Sequence, residues 1–191
     1  MVKLDTVDKL DEMGFFQPNS MILDIGCGPG YVPKYLIKNK KLFWYVGIDV
    51  NLGVIQHCRN ICKDIRCSFK LFPIQSDTYN RDGKMSALDF KIPMADKSVD
   101  SVICHSLFTH LATQEIARHY INEINRVLKS GGFLWTTWFA SPPNEWCSGT
   151  ARTVYDLSFI HDVLAPFEPI YLSGGETTGY NDQLEIACVK G

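Results

Sequence analysis

The stretch LDIGCGPGYVPKYL, residues 23–36, decides how the rest of the chain is interpreted. It joins an apolar run to an amphipathic segment, so it predicts a strand, a tight turn and the start of a helix. The turn holds Gly26, Gly28 and Gly30. Because glycine has no side chain, the backbone at these positions can approach a ligand closely. Main-chain N–H groups at the start of the helix then face that ligand. The stretch therefore predicts a binding loop for a nucleotide-like molecule.

The spacing of the glycines, together with two nearby acidic residues, indicates which class of ligand the loop would bind. The dinucleotide fingerprint is G-x-G-x-x-G, whereas this loop has G-x-G-x-G followed by the bulky Tyr31. Asp24 stands two residues before the first glycine, where a carboxylate suits a cationic ligand group better than a pyrophosphate. Asp49 ends the next predicted strand, about 20 residues on, where a carboxylate can accept both hydroxyls of a ribose.

Short apolar runs alternate with longer segments of helical spacing along most of the chain. Runs without polar alternation are typical of strands that are covered on both faces, as in a parallel sheet. Strands are predicted at residues 21–25, 43–49, 68–72, 101–105 and 133–139, and helices at 32–38, 52–63 and 113–128. The sequence KSGG at 129–132 is interpreted as the end of the last helix. This order predicts a doubly wound α/β sheet.

The C-terminal part and one long connection complete the predicted fold. Residues 167–172 and 182–190 are predicted to form two strands that close the sheet as an antiparallel hairpin. The connection 73–93 exceeds the usual loop length and is assigned to the rim of the active site. The chain is expected to form a single domain, 1–191, with residues 1–20 as a short N-terminal helical cap.

Composition limits the class of protein. The chain has 191 residues, 46% of them hydrophobic, which is enough for one domain with a sizeable core. The formal net charge is −2, without a long run of either sign, so nucleic acid is an unfavoured partner. The sequence shows neither the apolar core of a signal peptide nor a run of about 18 apolar residues. Seven scattered cysteines indicate reduced thiols, and a cytoplasmic protein without a membrane partner is expected.

Four motifs, in order, carry a resemblance to a known family. LDIGCGPG, GIDV, DKSVDSVICHSLFTHL and INEINRVLKSGGFLWTTWF resemble the successive motifs of class I S-adenosylmethionine-dependent methyltransferases, from about Leu23 to Phe139. The resemblance implies a Rossmann-like, mostly parallel seven-stranded sheet with helices on both faces and a final antiparallel strand. It also implies S-adenosyl-L-methionine as cofactor and S-adenosyl-L-homocysteine as product. The segments YNRDGK, FKIPMADKSVD and SLFTHL further resemble a bacterial subgroup linked with saccharide or secondary-metabolite modification.

The resemblance assigns roles to residues at matching positions. It implies that Asp24 and the loop 26–30 face the methionine moiety, that Asp49 holds the ribose, and that Val50 packs on the adenine. The cofactor-binding residues expected on this basis are Asp24, Gly26, Cys27, Gly28, Gly30, Tyr31, Asp49, Val50, Asp89, Phe90, His105 and Ser106.

The chain departs from the family pattern after the third strand. The family usually has an acid there, which meets the adenine amino group, whereas this chain has Phe72 and Pro73. Asp89 and its neighbour Phe90 are the candidates to replace that acid. After the fourth strand, His105 and Ser106 are expected to line the floor between methyl donor and acceptor.

The expected reaction requires few catalytic groups. Methyl transfer from a sulfonium is an in-line displacement on an activated carbon, so positioning and exclusion of water dominate. A hydroxyl acceptor benefits from a base, for which His105 and His110 are the candidate catalytic residues; His110 is equally well interpreted as a packed structural histidine. After Cys104 the chain reads HSL, without the Pro-Pro motif of DNA adenine methylation or the Pro-Cys pair of cytosine methylation. The predicted acceptor is an oxygen or nitrogen of a small molecule.

Two other classes of function stay open. A methyltransferase-like binding subunit without activity is one, because the acid after the third strand is missing and little chain precedes the first strand. An NAD(P)-dependent oxidoreductase is the other, although the glycine spacing and Asp24 argue against it. Cys58 and Cys62 share a helix face, but no CxxC pair accompanies them, so no metal site is predicted. A homodimer or a partner chain is expected to cover an open site.

Overall fold

The computed structural model describes residues 4–39, 41, 43–141, 147–148, 152–174 and 183–191. In these ranges the helices are α1 (Leu4–Glu12), α2 (Tyr31–Lys38), α3 (Leu52–Ile61), α4 (Gln114–Val127) and α5 (Leu157–Val163). The strands are β1 (Ser20–Ile25), β2 (Phe43–Asp49), β3 (Cys67–Leu71), β4 (Val99–Cys104), β5 (Leu128–Ser141), β6 (Cys147–Ser148), β7 (Thr153–Asp156), β8 (Phe167–Ser173) and β9 (Leu184–Lys190). Two 3-10 turns, Ala87–Asp89 and Phe108–His110, lie in the connections.

The strands form one mixed sheet whose main order is β3-β2-β1-β4-β5-β9-β8. The first five strands of that order pair in parallel, and β9 pairs antiparallel with both β5 and β8. The predicted doubly wound, mostly parallel sheet with a C-terminal antiparallel hairpin is therefore confirmed. Of the predicted last strand, residue 182 lies outside the described residues.

Strand β1 shows why the sheet is covered on both faces. Its side chains alternate between two separate cores, so that Leu23 packs with α4 and α5, and Ile22 packs with α1, α2 and α3. Both side chains are fully buried. This two-sided burial explains the continuous apolar character of the strand sequences.

Helix α4 ends within one residue of the predicted bound, but in a different way than the sequence predicted. The chain passes from Val127 directly into β5, and the pairing of β4 with β5 shifts register between Leu128 and Phe133. Gly131 has φ +74°, and a Cβ on Gly132 would lie 2.9 Å from the carbonyl oxygen of Lys129. The two glycines therefore form an irregularity at the start of β5, and their interpretation as the end of the helix was wrong.

The sequence analysis missed the elements between β5 and β8. Strand β7 pairs in parallel with the last residues of β5, and β6 pairs antiparallel with β7. Asp156 begins α5, because its carboxylate accepts the backbone N–H of Phe159 at 2.9 Å. These short elements have too few residues to show a clear periodicity.

Helix α1 packs beside α2. Its buried residues Val7 and Leu10 belong to the same core as α2, and the Tyr35 hydroxyl donates to Asp8 at 2.7 Å. Among the described helices, none has the length and apolar character that a membrane crossing needs.

Candidate functional site

A cavity of about 910 Å³ opens at the carboxyl ends of β1, β2 and β4, the usual place for a ligand in a sheet of this kind. Most of its lining comes from four parts of the chain: the glycine loop after β1, the end of β2, the connection between β3 and β4, and residues 105–112 after β4. A few residues of α3, α4 and the start of β7 complete it. The order of the parallel strands brings these distant segments together. The cavity is therefore the candidate functional site.

The glycine loop is tied to the neighbouring strand by its backbone. The N–H groups of Gly26 and Cys27 both donate to the carbonyl oxygen of Ile48, at 2.8 and 3.0 Å. Gly26, Gly28 and Gly30 have φ values of +77°, +51° and +75°, which L side chains rarely adopt. At Gly28, an added Cβ would find no protein atom within 4 Å. Together these features leave open space over a backbone that faces the cavity.

Asp49 joins the loop to the end of β2. Its Oδ2 accepts the N–H of Gly28 at 3.1 Å and its Oδ1 accepts the N–H of Asn51 at 2.8 Å. Burial raises the pKa of Asp49 above its usual value, and these backbone hydrogen bonds oppose that rise. Each carboxylate oxygen retains a further lone pair, so the group can still accept hydroxyls from a ligand in the cavity.

Asp24 lies beneath the loop and is not among the residues that line the cavity. Its side chain is 3% exposed, and the Tyr45 hydroxyl donates to Oδ2 at 2.6 Å. Burial raises the pKa of Asp24 to about 7, with a smaller contribution from the negative charge of Asp49, and the Tyr45 hydrogen bond acts in the opposite direction. Asp24 is thus poised to gain or lose a proton near neutral pH.

Four other residues expected to bind the cofactor also lie outside the lining. Cys27 is buried against Gly47, and Gly30 stands at the start of α2 in a left-handed conformation. Tyr31 projects from α2 and is 39% exposed. Asp89 is exposed on the first 3-10 turn. The structure therefore does not bring these four residues to the wall of the cavity.

An apolar slot occupies the side of the cavity next to β2 and β3. Val50, Phe72 and Phe90 line it, and the rings of Phe72 and Phe90 meet edge to face with centroids 5.4 Å apart. Behind the slot, Phe90 stacks on Tyr120 with centroids 4.4 Å apart. Two of the residues that the sequence analysis assigned to the adenine, Val50 and Phe90, therefore lie together in this slot.

His105 and Ser106 follow β4 and line the cavity, as the sequence analysis expected. Burial lowers the pKa of His105 to about 4, so its imidazole is neutral at pH 7 and accepts protons weakly. Ser106 has φ +56° and donates its N–H to Oγ1 of Thr137 at 2.7 Å. Its hydroxyl also lies 3.1 Å from Oε1 of Gln183, a residue that no sequence pattern had singled out.

His110 lies on the second 3-10 turn and also lines the cavity. Its Nε2 is 3.1 Å from the hydroxyl of Tyr79, which the sequence analysis missed as an individual residue. The one available signal was the length of the connection 73–93, which contains Tyr79 and was assigned to the rim of the site. Arg152, just before β7, is a further lining residue without a sequence signal. In the described part of the chain no cluster of three or more potential metal ligands occurs.

Comparison with known families confirms the resemblance carried by the four motifs. A sequence model described as a methyltransferase domain matches residues 23–136, which is more than half of the chain. The matched range runs from the glycine loop to β5, and it contains Asp49, His105 and His110.

Individual relatives agree with this match. The tRNA (carboxymethyluridine(34)-5-O)-methyltransferase of Arabidopsis thaliana is 26% identical over 151 residues, 79% of this chain and 32% of that protein. The chain thus spans about a third of the length of this curated relative.

Two solved structures share the fold. A methyltransferase of the S-adenosylmethionine-dependent class from Methanosarcina mazei has a TM-score of 0.70 at 18% identity, covering 94% of this chain and 96% of that one. The magnesium protoporphyrin IX methyltransferase of Synechocystis PCC 6803, solved with bound S-adenosylmethionine, has a TM-score of 0.68 at 14% identity. That match covers 98% of this chain and 77% of that one.

Proposed function

The chain belongs to the methyltransferase domain family, and on that premise we propose that it transfers a methyl group from S-adenosylmethionine to an oxygen or nitrogen of a small molecule. The observation that carries the proposal is one cavity that joins the glycine loop and Asp49 to the polar end of β4. Donor and acceptor can meet there, and the volume of about 910 Å³ is near the upper end of the roughly 300–1,000 Å³ typical of ligand pockets.

The residues of the cavity fit the cofactor. Gly28 leaves open space where a side chain would stand, Asp49 offers carboxylate oxygens to a ribose, and Val50 and Phe90 offer apolar surface to an adenine. When bound, S-adenosylmethionine supplies a methyl group already activated on a positively charged sulfur. The negative charge of Asp49, and that of Asp24 when it is ionised, attract the positively charged sulfonium of this ligand.

The chain itself would position the acceptor and, for a hydroxyl acceptor, remove a proton. An efficient general base has a pKa near the working pH, and the pKa of His105 is about 4. His105 is therefore assigned to the floor of the site, where its ring packs at 5.3 Å from that of Trp135. His110 is the better candidate for the base. An amine acceptor that is already deprotonated needs neither histidine as a base.

The acceptor class has two candidates. A small molecule is favoured, because the net charge is −2 and a strongly basic surface usually accompanies nucleic-acid binding. The Arabidopsis thaliana relative acts on tRNA, which supports an RNA nucleoside as the second candidate. We favour the small molecule, and the finer sequence resemblance favours a saccharide or a secondary metabolite within that class.

The placement of α1 supports an open site that a second chain covers. Among the described side chains of α1, from Val7 to Glu12, none lines the cavity, and Tyr35 and Lys41 hold the helix beside α2 through Asp8 and Asp11. A homodimer or another protein would complete the cover. Light scattering after size exclusion, with and without S-adenosylhomocysteine, tests for the homodimer.

Binding experiments test the cofactor directly. Calorimetry with S-adenosylhomocysteine and with NAD on the wild-type chain should show binding of the first and not of the second. The reverse result would favour the NAD(P)-dependent oxidoreductase and overturn the proposal.

Turnover experiments test the reaction. Methyl-labelled donor is incubated with panels of small hydroxyl and amino compounds and, separately, with total tRNA. Label in a small molecule supports the proposal, and label in tRNA alone selects the second candidate. Tight S-adenosylhomocysteine binding without label in either panel would instead favour a binding subunit without activity.

A further inference from the structure

The connection after β3 is a loop held together by its own backbone. The N–H of Gln75 donates to Met85 at 2.9 Å, and the N–H groups of Ser76 and Asn80 each donate to the other residue's carbonyl oxygen at 3.0 Å. Gly83 lies so close to Gln75 that an added Cβ would be 2.5 Å from the Gln75 nitrogen. Residues 75–85 therefore form a tightly folded unit, which can hold a side chain in a defined place.

Tyr79 is the aromatic residue among those with which this loop lines the cavity. Its hydroxyl lies 3.1 Å from Nε2 of His110, and the two rings meet edge to face with centroids 5.0 Å apart. The loop after β3 and the turn after β4 thus touch through Tyr79 and His110, and both residues line the cavity. Because Tyr79 is 44% exposed, this contact lies at the outer edge of the cavity.

Tyr79 also shares the cavity with Asp49, because both residues line it. Burial raises the pKa of the Tyr79 hydroxyl, and the negative charge of Asp49 adds to that rise. Tyr79 therefore faces the same space as the carboxylate assigned to the ribose, and it contacts the histidine assigned to the acceptor.

We infer that Tyr79 is a further cofactor-binding and positioning residue, whose ring covers the ribose at Asp49 and whose hydroxyl holds the ring of His110 toward the acceptor. The inference rests on the proposed function, because it takes the cavity to bind S-adenosylmethionine. It explains why this chain carries a long, internally bonded connection after β3. It also gives His110 a partner that fixes the orientation of its imidazole.

The inference makes a prediction about how the cofactor product leaves. The contact between Tyr79 and His110 closes part of the outer edge of the cavity, so its loss should ease the exit of a bound ligand. Removing either side chain should therefore speed dissociation more than it slows association. The effects of the two removals should not add, because each one breaks the same contact.

The experiment measures S-adenosylhomocysteine binding by calorimetry and its dissociation rate by stopped flow. Tyr79→Ala and His110→Ala should each raise Kd about tenfold, mainly through faster dissociation, because each opens the outer edge of the cavity in which the ligand is expected. The double variant should bind no more weakly than the weaker single variant. Tyr79→Phe keeps the ring and loses the hydroxyl, so it should fall between wild type and Tyr79→Ala.

Matched controls separate this role from general effects of substitution. His57→Ala removes an exposed histidine of α3, and Tyr171→Ala removes a tyrosine of β8, both outside the cavity. Both controls should bind S-adenosylhomocysteine like the wild type. Circular dichroism and melting temperature establish that each variant is folded. If Tyr79→Ala does not fold, Tyr79→Phe serves as the test instead.

Three results would overturn the inference: unchanged Kd and dissociation rate in folded Tyr79 variants, full additivity in the double variant, or equal weakening by the controls. Failure of the proposed function is a different result. In that case the wild-type chain itself does not bind S-adenosylhomocysteine.

Discussion

The hydroxyl of Tyr45 donates to Oδ2 of Asp24 at 2.6 Å, in the buried layer directly beneath the glycine loop. A carboxyl group in this position is costly to ionise, although the hydrogen bond lowers the cost. Because its charge is close to the Asp49 carboxylate, the protonation of Asp24 links the stability of the fold to the electrostatics of the site.

The pKa of Asp24 leads to a prediction about stability and pH. The folded protein holds the Asp24 proton up to about pH 7, whereas an unfolded chain releases it near pH 3.8. This contribution to stability is therefore complete below about pH 4 and is lost as the pH rises to about 7, amounting to at most about 4 kcal/mol.

Asp24→Asn should remove this dependence, because the amide oxygen still accepts the Tyr45 hydroxyl and no charge has to be buried. Urea unfolding of both proteins between pH 4 and 8 measures the effect, with Asp162→Asn as a control for an exposed carboxylate. The difference in unfolding free energy between Asp24→Asn and wild type should grow with pH. Parallel curves would show that Asp24 ionises in the fold without penalty.

His105 should give a pH dependence of the opposite sign. Its pKa is lowered to about 4 by burial, so below pH 6.5 the unfolded chain takes up a proton that the folded protein refuses. The wild type should lose roughly 1–3 kcal/mol relative to His105→Gln as the pH falls from 6.5 to 4. The same urea titrations measure it, and NMR titration of the His105 ring gives its pKa directly. A ring that titrates near 6.5 would contradict the prediction.

Asp49 is expected to carry much of the cofactor affinity. Two hydrogen bonds from ribose hydroxyls to a carboxylate are worth roughly 1.5–3 kcal/mol each, so Asp49→Ala should weaken S-adenosylhomocysteine binding about a hundredfold or more. Part of this loss comes from the glycine loop, whose Gly28 N–H loses its acceptor. Calorimetry measures the change, and an unaltered Kd would remove Asp49 from the site.

Gly28 has a matched control elsewhere in the chain. Gly28 and Gly131 both have positive φ, +51° and +74°, and an added Cβ would meet no protein atom within 4 Å at either. Alanine at either position should cost similar stability through backbone strain. Only Gly28 lines the main cavity, so only Gly28→Ala should weaken S-adenosylhomocysteine binding, by about tenfold or more. Equal binding by the two variants would place the ligand away from this loop.

Cys58 offers a test of what holds the loop in place. Its thiol donates to the carbonyl oxygen of Gly28 at 3.1 Å, from the buried face of α3. Cys58→Ala should weaken S-adenosylhomocysteine binding several-fold, whereas Cys58→Ser keeps a donor and should restore most of it. Cys62→Ala, one helical turn away, is the control. If serine fails to restore binding while alanine reduces it, packing rather than the hydrogen bond holds the loop.

Once an acceptor has been found, turnover measurements distinguish the roles of His105 and His110. General-base catalysis contributes typically 10²–10⁴-fold, so His110→Ala should lower kcat by about that factor for a hydroxyl acceptor. His105→Ala should lower it less than about tenfold, because a group with a pKa of about 4 is a poor base at pH 7. The opposite ranking would return the role of base to His105.

The sequence by itself determined the order of the strands and helices as far as β5, and the place of the glycine loop. Apolar runs, helical spacing and the three glycines are local patterns, which can be recognised in the sequence without knowledge of the packing. Asp49 could be assigned in the same way, because the end of β2 meets the end of β1 in any sheet of this order. The bounds of α4 were predicted to within one residue, but the role of Gly131 and Gly132, which lie inside β5, was not. The elements between β5 and β8 were missed because their local signals are short.

Only the tertiary structure decided what surrounds each side chain of the site. Tyr79 meets His110 across 31 residues of sequence, and Ser106 meets Gln183 across 77, so no local pattern could have paired them. The sequence assigned both Asp24 and His105 to the site without indicating how strongly each is buried. Burial raises the pKa of Asp24 to about 7 and lowers that of His105 to about 4. Burial depends on how the elements pack against one another, and packing is a property of the whole chain.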